Sequence, residues 1–192
     1  MGKHDEYEYK MILTEEEYET VRQWAEANYF TVMRSFVQLN YYYDTPSFFF
    51  RERGTTLRVR QSGASLKGTV KTHAEGGAAC RSKEKAFPAA RLPLQIAYKN
   101  EIANLQGVLV TERIEIPLRK KLFLMLDRSS YLGRIDYELE LEFPRGGRNM
   151  AEQFAEELSR TIREKPRVSK SERFFRALGE IENGGIEKIQ RR

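Results

Sequence analysis

At least five segments of this chain alternate charged and apolar residues with a period of two. "EYEYK" places Glu6, Glu8 and Lys10 on one face and Tyr7 and Tyr9 on the other. "LRVR" sets Arg58 and Arg60 against Leu57 and Val59, and "TVKTH" puts Lys71 on one face with Thr69. "TERIEI" offers Arg113 and Glu115, and "YELELE" offers Glu138, Glu140 and Glu142 opposite Leu139 and Leu141. Period-two patterning is the signature of strands in an antiparallel sheet with one apolar and one charged face. The fold must therefore decide where five charged faces go.

Two segments carry helical spacing instead. Thr14 and Glu17 form a capping box before Tyr18, Val21, Ala25 and Tyr29, with Trp24 beside this stripe, which predicts a helix over about 14–29. Asn149 is read as the cap of a second helix, about 149–164, with Ala151, Phe154, Leu158 and Ile162 as its stripe. "SKSERFFRALGE" predicts a short C-terminal helix. "FVQLNYYYD" reads as a strand, followed by a short helix from Thr45-Pro46 to a C-cap at Gly54. "CRSKEKAF", "GVLVTERIEIPL", "KKLFLMLDRSSYLG" and "RIDYELELEF" read as strands, and 88–106 as short helical pieces broken at Pro93. About eight strands and two substantial helices make a mainly β (α+β) chain, a barrel or a strongly curved sheet.

The helices have apolar stripes to cover. If they pack on an apolar exterior, the charged strand faces line the interior. Burying unpaired charge costs several kcal/mol per ion even after relaxation. Such an interior has to be wet, internally paired, or completed by a charged ligand. Clustered carboxylates are hard oxygen ligands for a divalent cation. Clustered guanidinium and ammonium groups bind phosphate oxygens. A metal-polyphosphate satisfies both. Charged faces turned to solvent are the other reading, and the pattern alone leaves both open.

The remaining composition narrows the classes. The chain has 192 residues, enough for one domain, read as 1–180 with a polar tail at 181–192. No apolar run approaches the roughly 20 residues of a membrane span, and the first residues lack a signal-peptide core. A single cysteine, Cys80, excludes an internal disulfide and suggests a reducing, cytoplasmic compartment. His4 and His73 have no metal-ligand spacing and read as surface residues. A net charge of +5 fits a polyanionic partner. Nucleic acid is disfavoured, because an RNA surface gains nothing from two Glu-x-Glu strands.

In this order the motifs resemble the CYTH domain, or triphosphate tunnel metalloenzyme, superfamily. Glu6, Glu8 and Lys10 match its opening Glu-x-Glu-x-Lys, and "YYYDTP" its Tyr-Asp-Thr-Pro element. "LRVR", Lys71 and Arg113 follow, then Asp127, Glu138 and Glu140 within "LDRSSYLGRIDYELELE", and Lys170 in "SKSERF". The match spans about 5–178. The resemblance implies an eight-stranded antiparallel closed β-barrel, a tunnel with a charged interior flanked by helices. It implies a Mg²⁺- or Mn²⁺-dependent triphosphatase acting on a small triphosphate, inorganic triphosphate or thiamine triphosphate, as monomer or homodimer. Glu6, Glu8, Asp127, Glu138 and Glu140 would hold metal, with Glu6 also able to orient the attacking water. Arg58, Arg60, Lys71 and Arg113 would grip the phosphates, with Lys10 and Lys170 completing the cationic lining at the reacting centre. The register of Arg81, Lys83 and Glu84 is open, as are the roles of Glu115 and Glu142. An adenylate cyclase on the same scaffold and a non-catalytic polyphosphate or nucleotide binder are the rival readings.

Overall fold

The computed structural model describes residues 4–73, 80–119, 121–144, 146–159 and 168–184. In chain order the elements are β1 (His4–Leu13), α1 (Glu15–Tyr29), β2 (Arg34–Asp44), a 3₁₀ turn at Arg51–Arg53, β3 (Thr55–Ser62), β4 (Ser65–His73) and β5 (Cys80–Pro88). Then follow β6 (Gln95–Tyr98), β7 (Glu101–Arg119), β8 (Leu122–Tyr131), β9 (Arg134–Phe143), α2 (Arg148–Ser159) and α3 (Lys170–Gly184). Thr14 caps α1 as the sequence predicts: its hydroxyl accepts from the Glu17 N–H, and Glu17 accepts from the Thr14 N–H. α2 begins one residue before Asn149, so Asn149 lies in its first turn rather than at its cap. Residues 160–164 of the expected second helix lie outside the described residues.

All strands pair antiparallel in one sheet ordered β2-β3-β4-β5-β1-β9-β8-β7-β6, and β2 also pairs along β7. The expected eight-stranded closed barrel with two flanking helices is therefore corrected. The sheet has nine strands rather than eight and keeps an edge at β6, which pairs with β7 alone. The ninth strand comes from 88–106, where the sequence suggests helical pieces. Lys99 and Asn100 both take positive φ, 49° and 62°, and fold Gln95–Tyr98 back onto Glu101–Asn104. Two consecutive positive-φ residues make the tight hairpin turn whose twist matches that of its strands. There is also a third helix of 15 residues, α3.

The sheet curves round its charged face. α1 and α2 cover the outer apolar face of β1, β8 and β9, packing Val21, Ala25 and Ala151 on Met11, Leu124, Leu139 and Leu141. A second outer cluster sits over β2–β4, where Leu57, Val59 and Val70 meet Phe87, Ile96 and Ala103. α3 behaves differently. Its Phe174, Phe175 and Ala177 pack on Tyr42, Leu109 and Tyr131. At Gly107, where φ is +152°, a Cβ would lie 2.9 Å from the Phe174 ring, so glycine lets the helix dock close to β7.

Asp44 fixes the loop after β2. Its carboxylate, 1 % exposed, accepts from the backbone N–H groups of Thr45, Phe50 and Arg51 at 2.8, 3.0 and 2.9 Å. These bonds replace the short helix expected after Thr45-Pro46 and leave only a three-residue 3₁₀ turn. Asp44→Ala would orphan three N–H groups, so it should destabilise the protein by about 3 kcal/mol. Urea denaturation monitored by tryptophan fluorescence measures this. A change below about 0.5 kcal/mol would show the loop is held by its aromatic packing instead.

Candidate functional site

The charged faces converge on one cavity of about 660 Å³, within the roughly 300–1,000 Å³ of small-molecule sites. Of the residues singled out in the sequence, Glu8, Lys10, Arg58, Arg60, Lys71, Arg113, Glu140 and Lys170 line it. Asp127 and Glu138 lie directly behind that lining with 0 % exposure. Glu6 sits on β1 opposite Ser82, and its side chain lies outside the described residues, as do those of His4, His73, Cys80 and Arg81. Glu84 and Glu142 also line the cavity, whereas Lys83 is exposed. Glu115 does not line it.

One half of the cavity is densely paired. Arg113 grips Asp127 with two forks, Nε at 2.7 Å and Nη2 at 2.6 Å, and its Nη2 also donates to Glu140 at 2.7 Å. Lys10 Nζ donates to Glu140 Oε1 at 2.7 Å and lies 3.1 Å from Glu8. Lys170 Nζ approaches Asp127, Glu140 and Glu138 at 2.8, 2.9 and 3.2 Å. Burial pushes the Glu140 carboxyl up, but Lys10, Lys170 and Arg113 outweigh it and hold it well below the usual range. Burial likewise opposes ionisation of Asp127, and Lys170 and Arg113 win, leaving it lowered. Lys10 is raised well above its ordinary value, because Glu140, Glu8 and Glu138 overcome its burial.

The sequence reading missed Arg173. From α3 it donates to Asp136 through Nε at 2.7 Å and to Glu138 through Nη2 at 2.6 Å. It follows Lys170 by three residues, the spacing that puts two side chains on one helical face, so "SKSERF" did carry the signal. With Arg173, Lys170 and Arg113 on them, Asp127 and Glu138 are engaged in ion pairs. Glu8, Glu140 and Glu142 converge on the cavity side, each offering an oxygen within 4.8 Å of the others, with Glu140 also paired to Lys10, Lys170 and Arg113. An all-oxygen donor set of this kind fits Mg²⁺ or Mn²⁺.

The other half is cation-rich. Arg60 has no carboxylate within 4.0 Å among the described residues, and its Nε donates to Asn40 Oδ1 at 3.1 Å. Burial, then the Arg58 and Arg113 charges, lower its guanidinium to about 10. Arg58 reaches Glu84 only at 3.6 Å, and its buried Nε has no hydrogen-bond partner among the described residues. Lys71 stands 3.5 Å from Glu84 and 3.7 Å from Glu8. The cavity thus sets a carboxylate cluster against under-neutralised guanidinium groups, which is the complement of an anion carrying a divalent cation.

The CYTH domain family model matches residues 4–175. The chain belongs to the CYTH domain family. It is 29% identical over 154 residues to YjbK of Bacillus subtilis (strain 168), a candidate triphosphatase, covering 74% of this chain and 79% of that one. A candidate adenylate cyclase from Bacillus halodurans superposes with a TM-score of 0.71 at 25% identity, over 91% of this chain and 100% of that one. HpAC1 from Hippeastrum, described as a candidate adenylyl cyclase with a dominant triphosphatase activity, shares the fold at a TM-score of 0.65 and 16% identity, over 97% and 100%.

Two stability predictions follow from the charge state of this CYTH domain's cavity. A base whose folded pKa is depressed costs stability wherever it is charged, here at all pH values below about 10. Arg60→Met should therefore stabilise the ligand-free protein at neutral pH by on the order of 2 kcal/mol, net of altered packing. A lower urea midpoint would show that the guanidinium is compensated where it lies. The carboxylates act in the opposite direction. Asp127 and Glu140, lowered on folding, contribute stability that is complete above the unfolded value near pH 4 and is lost as pH falls through their folded values. Urea midpoints taken from pH 7 down to pH 3 should fall steeply below about pH 4 for the native chain, and less steeply for Glu140→Gln.

Proposed function

We propose that this CYTH domain hydrolyses triphosphates by metal-assisted phosphoryl transfer to water. The observation that carries the reading is the division of one cavity into a carboxylate cluster and a set of under-neutralised guanidinium groups. The triphosphatase descriptions of YjbK and HpAC1 support it. The substrate class is a small triphosphate, inorganic triphosphate or thiamine triphosphate. Among the described residues no helix is long and apolar enough to cross a membrane. Function as a monomer or homodimer in the cytoplasm is part of the proposal.

Glu8, Glu140 and Glu142 would hold Mg²⁺ or Mn²⁺, which when bound supplies Lewis-acid polarisation of the phosphate oxygens. Arg58, Arg60 and Lys71 bind the phosphate chain from the opposite wall, and their charges stabilise the negative charge that spreads during transfer. Asp127 and Glu138 act from behind. They keep Arg113, Lys170 and Arg173 in place and so shape the wall on which the reacting phosphate lies. Lys10 and Lys170 both donate to Glu140 Oε1, where each ammonium can turn to a phosphate oxygen without leaving its carboxylate neighbours. Glu6, at the head of Glu-x-Glu-x-Lys, orients the attacking water in this reading.

Purified protein is to be assayed against inorganic triphosphate, thiamine triphosphate and ATP, in chelator and with Mg²⁺ or Mn²⁺. Hydrolysis that is lost in chelator and restored by either ion is expected. Cyclic nucleotide as the main product would return the cyclase reading, and tight binding without turnover the binder reading. Arg58→Ala should raise KM about ten- to a hundred-fold, the worth of one charge-assisted phosphate contact. An unchanged KM would remove Arg58 from the phosphate wall.

A further inference from the structure

Asn40 meets a cavity guanidinium, that of Arg60, which has no carboxylate within 4.0 Å among the described residues. It sits on β2 directly across from Arg60 on β3 and is 2 % exposed. Its amide oxygen accepts from Arg60 Nε at 3.1 Å. Only the oxygen of an amide can accept from Nε, so the interaction also fixes which way the amide is turned. A guanidinium bound through Nε keeps its two terminal nitrogens for another partner, on the side away from its stem. Both Asn40 and Arg60 line the cavity.

Arg113 shows what a carboxylate does in the same interior. There the fork is closed on Asp127 through both Nε and Nη2, and Nη2 is shared with Glu140. Its charge is matched, and its donors are occupied. An aspartate in place of Asn40 would be isosteric and would close Arg60 in the same manner. A neutral acceptor gives orientation without matching the charge. Arg58, the next inward arginine, faces Tyr42 across the strands and has no acceptor on its Nε among the described residues.

We infer that Asn40 is a positioning residue, which aims the Arg60 guanidinium at the phosphate chain while leaving its charge for the ligand. The inference rests on the triphosphate reading above and adds a residue that the acidic and basic motifs do not contain. Two roles that usually conflict are thereby separated. The amide supplies the pre-organisation that a flexible arginine needs to bind tightly. The absence of a carboxylate keeps the electrostatic pull on a polyanion, and its cost is carried by the ligand-free protein.

The test uses inorganic triphosphate in metal-free buffer, with calorimetric binding and thermal unfolding, so that neither metal nor turnover enters. Asn40→Asp is expected to weaken binding by about ten-fold or more, the scale of a lost charge-assisted contact, while raising the unfolding temperature of the ligand-free protein. Asn40→Ala is expected to weaken binding and to lower that temperature. With Mg²⁺ present, Asn40→Asp should raise KM by more than it lowers kcat. Wild-type protein that binds triphosphate while Asn40→Asp binds equally well would overturn the inference and leave the triphosphate reading standing. An Asn40→Asp protein that unfolds earlier or fails to fold would also overturn it, by reducing Asn40 to a structural role. Wild-type protein that binds triphosphate neither in metal-free buffer nor with Mg²⁺ present would overturn the reading and the inference together.

Discussion

The interior of this protein depends on the ion-pair network around Asp127, Glu138 and Glu140. Three carboxylates with 0, 0 and 4 % exposure lie within one wall of the sheet. Left unpaired, each would cost several kcal/mol, and their mutual repulsion would add to that. Arg113, Lys10, Lys170 and Arg173 offset the cost from three different elements, β7, β1 and α3. The register of the sheet makes this possible. Arg113 stands opposite Asp127 and Lys10 opposite Glu140, so charges of opposite sign meet across strands, while the like-charged Asp127 and Glu138, also opposite each other, are bridged by Lys170. A slip of one residue would send the whole set to the outer face and the leucines inward.

The same constraint explains why the opposite wall looks unfinished. Arg58 and Arg60 share β3; among the described residues Arg58 has only Glu84 within 4.0 Å, and Arg60 meets Asn40, which offers an oxygen without a charge. In a protein selected for stability alone, carboxylates would sit there as they do beside Arg113. Their scarcity leaves positive charge under-neutralised in the ligand-free state, and in the proposed function a polyanion would neutralise it on binding. In that proposal affinity and stability are set against each other on this wall, while on the carboxylate wall pairing serves the fold and would leave the carboxylates in place to hold a metal.

Much of this was legible in the sequence, because period-two patterning reports faces directly. Glu8, Lys10, Arg58, Arg60, Lys71 and Glu140 fall on the cavity face where alternation places them. The helix over 14–29 was legible from its capping box. The route of 88–106 was not. Its hairpin turns on Lys99 and Asn100, which lack the Asn-Gly chemistry that marks such turns, and Pro93 suggested broken helix instead. The expected count of eight strands failed for the same reason, since the strand made by that hairpin is the ninth and forms the sheet's edge. Arg173 was passed over because a charged residue on a helix usually faces solvent, and only the docking of α3 turns it inward. Asn40 carries no charge, so a search for charged faces could not find it.

α3 joins the two walls. It supplies Lys170 and Arg173 to the carboxylates, and its Phe174 and Phe175 pack on Tyr42, whose strand position faces Arg58. Ser171 meets Thr56 at 3.1 Å, two residues before Arg58 on the same strand face. The helix can sit this deep only because Gly107 has no Cβ to strike Phe174. The placement of the lysine on one wall and of the arginine on the other is thus governed by one packing surface. A change that backs α3 away from β7 would loosen Lys170 from Asp127 and Glu140 and would remove Tyr42's support in the same movement.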